Sequence, residues 1–250
     1  MRILLLDLET APNLVHVWGL WQQNVSTNQI MASGYTLCWA AKWLGEDEVF
    51  FNSVWHTSAK RMVNHLYRLL DEADVVVSYN GIKFDIPTLN KEFLLHGLPP
   101  PSPYKQVDLL RTMRGQFRFP SNKLDYVCQQ LGLGAKTQHK GHELWIGVMA
   151  GSKDDQAVME EYNKNDVILL EKLYHVLLPW IKSHPNHALY KDEHVACPTC
   201  GGKHYQRRGL AVTIHGKYQR YQCTSCGGWF RDKKMLIKPP TKQEERFTAV

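Results

Sequence analysis

The chain has 250 residues, 44% hydrophobic, 22% charged and 11% aromatic, a globular balance that excludes a disordered, collagenous or disulfide-scaffold protein. No run approaches the roughly 18 apolar residues that span a bilayer, and the opening residues 1–9 run straight into acids, unlike a cleaved leader, so the protein reads as cytoplasmic. The net charge of +6 is unevenly placed: from Lys191 onward there are 12 basic and 5 acidic residues, against 18 and 19 before it.

In chain order, residues 2–8 form a continuous apolar run that predicts a buried strand, with Asp7 and Glu9 at its end. Residues 35–44 and 48–54 predict two more strands, joined by a turn at Gly45-Glu46-Asp47 and lying antiparallel beside the first. Residues 59–72 have helical periodicity, with Met62, Leu66, Leu69 and Leu70 on one face, and 74–78 read as a β-branched strand. Residues 85–96 predict a helix stopped by Gly97 and the proline-rich stretch 99–103, residues 106–110 a strand, and 122–131 a helix closed by Gly132. Residues 138–152 read as a loop or broken helix, and 154–181 as the longest helix, opened by acids and ended near Pro179. Trp18, Trp21, Trp39 and Trp43 read as core, with base stacking the alternative for Trp18 and Trp21 in their irregular segment. Cys38 and Cys128 stand alone in apolar surroundings and read as buried, reduced thiols.

This order predicts an α/β layered domain with a mixed sheet over residues 1–182. Residues 183–195 are polar and aperiodic, a linker; 196–236 form a small second module; 237–250, with Pro239-Pro240 and many charges, read as a flexible basic and polar tail. No internal repeat is visible.

Four carboxylates stand at informative places. Asp7 and Glu9 are two apart on a strand and so point to one face. Asp85 opens a helix at the carboxyl end of a strand, where open α/β sheets place their sites, and Asp166 lies inside the long helix. Four carboxylates in one cleft repel unless cations neutralise them, and hard oxygen donors select Mg²⁺ or Mn²⁺. Two such ions suit the hydrolysis of a phosphodiester. Asp108 reads as an ordinary strand-end acid, Phe84 by composition as core, and His139 and His142 as solvated loop histidines.

The motifs Asp7-Leu8-Glu9-Thr10, Asn80-Gly81-Ile82-Lys83-Phe84-Asp85 and Tyr162-Asn163-Lys164-Asn165-Asp166, in this order, resemble the three exonuclease motifs of the DEDD superfamily. More closely they are similar to its tyrosine subtype (DEDDy), found in proofreading domains of family B DNA polymerases and in stand-alone relatives, some phage-encoded. The resemblance covers residues 1–182, with no polymerase palm or fingers after it. It implies a ribonuclease H-like fold and 3′-to-5′ exonucleolysis with two Mg²⁺ or Mn²⁺ ions. Asp7 would serve both ions, Glu9 and Asp166 the first, and Asp85 the second, largely through water. Tyr162, one helical turn before Asp166, would orient the attacking water, being too weak a base at neutral pH to deprotonate it. Asn80 and Phe84 would touch the 3′-terminal nucleotide, and Thr10 would also contact nucleic acid. Single-stranded or frayed DNA is the expected substrate, with RNA the alternative, because this subtype handles both sugars. A non-catalytic nucleic-acid adaptor is the rival from another class, and the tail suggests a tether to a DNA polymerase or other replication protein.

Cys197-Pro-Thr-Cys200-Gly-Gly and Cys223-Thr-Ser-Cys226-Gly-Gly are two knuckles whose four thiolates complete a tetrahedral shell for one structural Zn²⁺, with no open position for chemistry. So short a segment needs the metal to fold. It resembles the zinc ribbons at the start of some insertion-sequence transposases, which implies nucleic-acid contact. Independently, Arg207, Arg208, Lys217 and Arg220, with Arg231, Lys233 and Lys234, interleave with Tyr205, Tyr218, Tyr221, Trp229 and Phe230, the composition of a phosphate-tracking, base-stacking surface. Docking on a protein is the alternative.

Overall fold

The computed structural model describes residues 1–190 and 196–238. The chain divides into two compact units, Met1–Val176 and Leu177–Val250. Of the expected linker, the described part contains a 3-10 turn at His187–Tyr190, and residues 191–195 lie outside the described residues, as does the expected tail from residue 239. Among the described residues no helix is long and apolar enough to cross a membrane.

The first unit runs β1 (Ile3–Thr10), a two-stranded arm of β2 (Leu14–Val15) and β3 (Ile30–Ala32), β4 (Thr36–Trp43), β5 (Val49–Ser53), α1 (Ala59–Asp71), β6 (Val75–Ser78), α2 (Asp85–Leu95), β7 (Lys105–Asp108), α3 (Leu109–Gln116), α4 (Leu124–Gln130), α5 (His142–Met149) and α6 (Lys153–Leu177). Five strands form one sheet in the order β5-β4-β1-β6-β7. β1 pairs antiparallel with β4 and parallel with β6, which pairs parallel with β7, giving the mixed sheet. A central strand covered on both faces must be apolar throughout, and Ile3 to Leu6 are indeed buried without alternation.

Alternation on β1 then decides which side receives the acids. Leu4, Leu6 and Leu8 join Trp39, Met62, Leu66, Leu89 and Phe93 in a core beneath α1 and α2. The opposite parity, which carries Asp7 and Glu9, faces a second cluster in which Ala11, Leu37 and Cys38 meet Leu144, Val148, Met159 and Tyr162 of α5 and α6. Farther along α6, the largely buried Lys42–Glu171 ion pair and the Gly45 N–H donating to Glu171 (3.0 Å) fasten the helix to β4 and its turn.

Two elements depart from the sequence expectation. Residues 109–116 are a helix rather than the continuation of a strand, because the Asp108 carboxylate caps it by accepting from the Leu110 (3.0 Å) and Arg111 (3.4 Å) N–H groups. The tryptophans divide: Trp39 and Trp43 are core, but Trp18 and Trp21 are 99% and 84% exposed, so the core assignment fails for that pair. Their segment is an arm between β2 and β3, away from the packed layers.

The second unit is a three-stranded antiparallel sheet, ordered β10-β9-β8, of β8 (Tyr205–Thr213), β9 (Gly216–Cys223) and β10 (Trp229–Ile237). The two knuckles precede β8 and join β9 to β10.

Candidate functional site

The three expected motifs converge at the carboxyl end of β1. Carboxylate oxygens of Asp7, Glu9 and Asp166 lie within 4.8 Å of one another. Asp166 is buried on α6, and Asp7 and Glu9 are half-buried. Asp85 stands outside this close trio. β1 continues past the end of β6, which leaves the Leu8 N–H without a strand partner on that side; Asp85 accepts it at 3.1 Å. The turn that delivers Asp85 needs special residues. Asn80 is left-handed (φ 73°) and its N–H donates to Asp108 (2.9 Å). A Cβ at Gly81 would fall 2.2 Å from the Ser78 hydroxyl and 3.2 Å from an Asp85 oxygen. Asp108 is therefore an architectural cap that sets this turn.

Crowding and desolvation dominate the electrostatics. Burial first, and then repulsion from Glu9, Asp166 and Asp85, push the Asp7 carboxyl well above the ordinary range, against the pull of Lys136. Burial and Asp166 raise Glu9 to about 8, and burial raises Asp85 to about 7. Burial likewise lifts Asp166, with Lys136 opposing. Desolvation and mutual repulsion thus shift these carboxyls toward their protonated forms, and cations would shift them back.

Two residues that the sequence reading did not assign complete the cluster. The Asn163 amide, fully buried, donates to Asp7 at 2.7 Å. Lys136, in the loop before α5, hydrogen-bonds through its ammonium to an Asp166 oxygen and to the Tyr162 hydroxyl (2.9 Å). Burial alone would weaken the Lys136 ammonium, but Asp166 and Tyr162 outweigh it and its pKa is raised. Burial, then Asp166 and Glu9, raise the Tyr162 hydroxyl too, so it stays protonated. No spacing rule marks Lys136. Its only sequence signal is a cation in the loop between Gly134 and Gly141, and that signal is weak.

His139 is exposed in its loop, as expected, and its ring also packs edge-on against Tyr162 (4.9 Å) and Trp145 (5.5 Å). Phe84 is 44% exposed at the start of α2, so it is not core and its ring is accessible. Thr10 ends β1 past a register shift, half-buried beside Glu9. A cleft of about 510 Å³ borders Asp7 and is lined by Tyr79, Arg114, Asn122, Lys123, Asp125 and Lys136 among others, so three cations and a further acid share its walls.

The donor set fits divalent cations. With one Asp166 oxygen on Lys136, its other oxygen is buried and has no protein partner. Together with Asp7 and Glu9 it offers a hard, all-oxygen group of the kind Mg²⁺ or Mn²⁺ accepts.

In the second unit the Sγ atoms of Cys197, Cys200, Cys223 and Cys226 lie within 4.8 Å of one another. Cys197–Cys226 and Cys200–Cys223 are 3.8 and 3.7 Å apart. Zinc–sulfur bonds of about 2.3 Å give a tetrahedral edge of about 3.8 Å, so the four sulfurs fit one zinc ion. The knuckles repeat the same bonds. The Cys197 and Cys223 N–H groups donate to the Gly202 and Gly228 carbonyls (2.8 and 2.9 Å), with Gly201 and Gly227 at positive φ.

The basic residues of this sheet do not share one face. Strand register places Arg207 opposite Tyr221, beside the stacked Tyr221–Phe230 rings and Tyr205. Arg220 pairs with Arg231 on the other face, where it lies over Trp229 (5.0 Å) and Arg231 over Tyr218 (3.9 Å). Arg208 and Lys217 are exposed, and the Arg208 carbonyl accepts from the Arg220 guanidinium (2.9 Å).

Residues 5–178 match the sequence family described as the RNase_H superfamily. No curated protein sequence matches the chain. Among solved structures, the chain is similar to the family B DNA polymerase from the hyperthermophilic archaeon Pyrobaculum calidifontis, at 15% identity and a TM-score of 0.54. The likeness covers 88% of this chain and 33% of that one, and it is a likeness of fold.

Proposed function

Because the chain belongs to the RNase_H superfamily, we propose that it is a 3′-to-5′ exonuclease. It hydrolyses phosphodiester bonds of single-stranded or frayed DNA and releases nucleoside 5′-monophosphates. Superfamily membership supports a nuclease in general; the 3′ direction rests on the resemblance of the three motifs to the tyrosine subtype. One observation carries the reading. Three carboxylates from β1 and α6 converge, one buried Asp166 oxygen lacks a protein partner, and a tyrosine hydroxyl is fastened alongside.

Asp7, Glu9 and Asp166, with Asp85 behind them, would hold two Mg²⁺ or Mn²⁺ ions. When bound, these supply charge neutralisation, Lewis acidity and a water poised for attack. The remaining steps belong to the chain. Lys136 donates to the Tyr162 oxygen and fixes the hydroxyl beside Asp166, where it can orient an attacking water or a phosphate oxygen. Tyr162 keeps its proton and acts as a positioning group. The Lys136 charge, with Arg114 and Lys123 along the cleft, counters the charge that develops on the phosphate. Asn80 and Phe84 border the terminal nucleotide. Cys197, Cys200, Cys223 and Cys226 hold one structural Zn²⁺, and the basic, aromatic sheet beyond them holds the strand.

Digestion of a 5′-labelled single strand, as DNA and as RNA, with Mg²⁺ or Mn²⁺, tests this reading. Wild type should give a ladder shortening from the 3′ end, and Asp7→Ala and Asp85→Ala should each lose at least about a thousand-fold in rate while staying folded. A wild-type-like rate in either variant overturns the site. Folded, zinc-loaded wild type that cleaves neither strand overturns the enzyme in favour of an adaptor. Faster digestion of RNA changes the substrate to RNA.

A further inference from the structure

The arm between β1 and β4 is unlike the rest of the molecule. From Ala11 to Tyr35 it has no Asp, Glu, Lys or Arg. Trp18, Leu20 and Trp21 at its far end are 99%, 88% and 84% exposed, a concentration of apolar surface that an isolated domain does not retain without use. The arm is nonetheless ordered. Its root is tied by the Ala11 N–H donating to Tyr35 (2.8 Å), the Gly34 N–H donating to Asn13 (2.6 Å) and Lys91 donating to Gly34 (2.9 Å). Gln29 braces its interior by donating to the His16 carbonyl (2.8 Å) and accepting from Ser26 (2.9 Å).

We infer that this arm is a base-stacking platform for the unpaired strand that enters the acid cluster, with Trp18 and Trp21 as the stacking rings. The inference rests on the nuclease reading and adds the element that holds the strand upstream of the cleaved bond. Three observations select unpaired bases as the occupant. The arm rises from the strand that carries Asp7 and Glu9, and its root residue Ala11 packs in the same cluster as Tyr162, so it is continuous with the candidate site. A recess of about 570 Å³ beside Trp18 is lined by Val15, His16, Val17, Asn28 and Gln29, an indole face with imidazole and amide groups around it, which is the chemistry of a nucleobase site. No carboxylate on the arm repels the phosphates, and no cation competes for them, which leaves the backbone to the Arg114, Lys123 and Lys136 cleft.

The test uses the full chain and two readouts. First, the fluorescence anisotropy of a 5′-fluorescein-labelled 20-nucleotide oligothymidylate is titrated with protein, with Ca²⁺ in place of Mg²⁺. The double variant Trp18→Ala/Trp21→Ala should bind roughly ten-fold or more weaker per ring removed, and Trp18→Phe/Trp21→Phe should recover most of the affinity. Second, the ratio of kcat/KM on the 20-mer to kcat/KM on a dinucleotide, too short to reach the arm, should fall by a similar factor in the alanine variant. Unchanged affinity and an unchanged ratio overturn the platform and assign the arm to a protein partner. An alanine variant that binds as wild type overturns it even where no hydrolysis is seen. Wild type that binds through the arm yet cleaves nothing overturns the nuclease reading and leaves the platform standing.

Discussion

The two candidate metal centres are assembled by opposite routes. In the acid cluster, Asp7 is held by Asn163 from 156 residues away, and every carboxylate sits on an element anchored in a large core. The four cysteines lie within 29 residues of one another, and among the described residues their sheet and knuckles bury few side chains besides Tyr218, Cys197 and Cys223. The first site is thus built by the fold against its own electrostatics, with like charges forced together. The second lacks a core large enough to stand alone, so its fold depends on the ion. A cation in the first relieves strain; in the second it supplies the structure.

The largest expected effect that sharpens this contrast is on the cysteine side. Cys223→Ser, or removal of zinc by a chelator, should abolish hydrogen-exchange protection across β8 to β10 while β1 and β4 keep theirs. Retained protection in β9 would break the comparison, because the sheet would then stand on its own packing.

A smaller effect separates the two supports of the tyrosine. Tyr162→Phe should slow hydrolysis by roughly ten- to a hundred-fold without weakening the binding of Mn²⁺, since the hydroxyl positions and does not ligate. Lys136→Met removes the donor to both Tyr162 and Asp166. It should slow hydrolysis comparably, but it should tighten Mn²⁺ because a competing cation has gone. Weaker Mn²⁺ binding in Lys136→Met would show that the lysine organises the carboxylates instead of competing for them.

The smallest effect is thermodynamic. Glu9 rises from an ordinary 4.5 to about 8 and Asp85 from 3.8 to about 7 in the folded chain. Between the unfolded and folded values the native state binds more protons than the unfolded one. The stabilising contribution is therefore complete below about pH 4 and is lost as pH rises toward 8. Zinc-loaded protein without Mg²⁺ or Mn²⁺ should melt several degrees lower at about pH 8 than at about pH 5. Added Mn²⁺ should raise the melting temperature more at the higher pH. Equal melting temperatures in the absence of Mn²⁺ would mean that the crowding is relieved by other means.

Much of the architecture was legible because it depends on short-range periodicity. The continuous apolar run of β1, the helical faces of α1 and α6 and the knuckle spacings need only neighbours along the chain. The helix α3 is hidden in the sequence by the evident strand that leads into it, although Asp108 carries the capping signal. Residue type favours the core for Trp18 and Trp21 and leaves stacking as the alternative, because it carries no information about whether a loop folds inward or projects.

By itself, then, the sequence determined that Asp7 and Glu9 share a strand face, that Tyr162 and Asp166 share a helix face and that two CxxC turns can close on one ion. Each is a consequence of local repeat geometry. Only the tertiary structure decided that Lys136 lies between Tyr162 and Asp166, that Asn163 holds Asp7, that Asp85 stands behind the trio on the Leu8 N–H, and that Arg207 and Arg220 part to opposite faces. These outcomes follow from loop paths, strand register and the desolvation of groups distant in sequence, which are settled when the layers pack together.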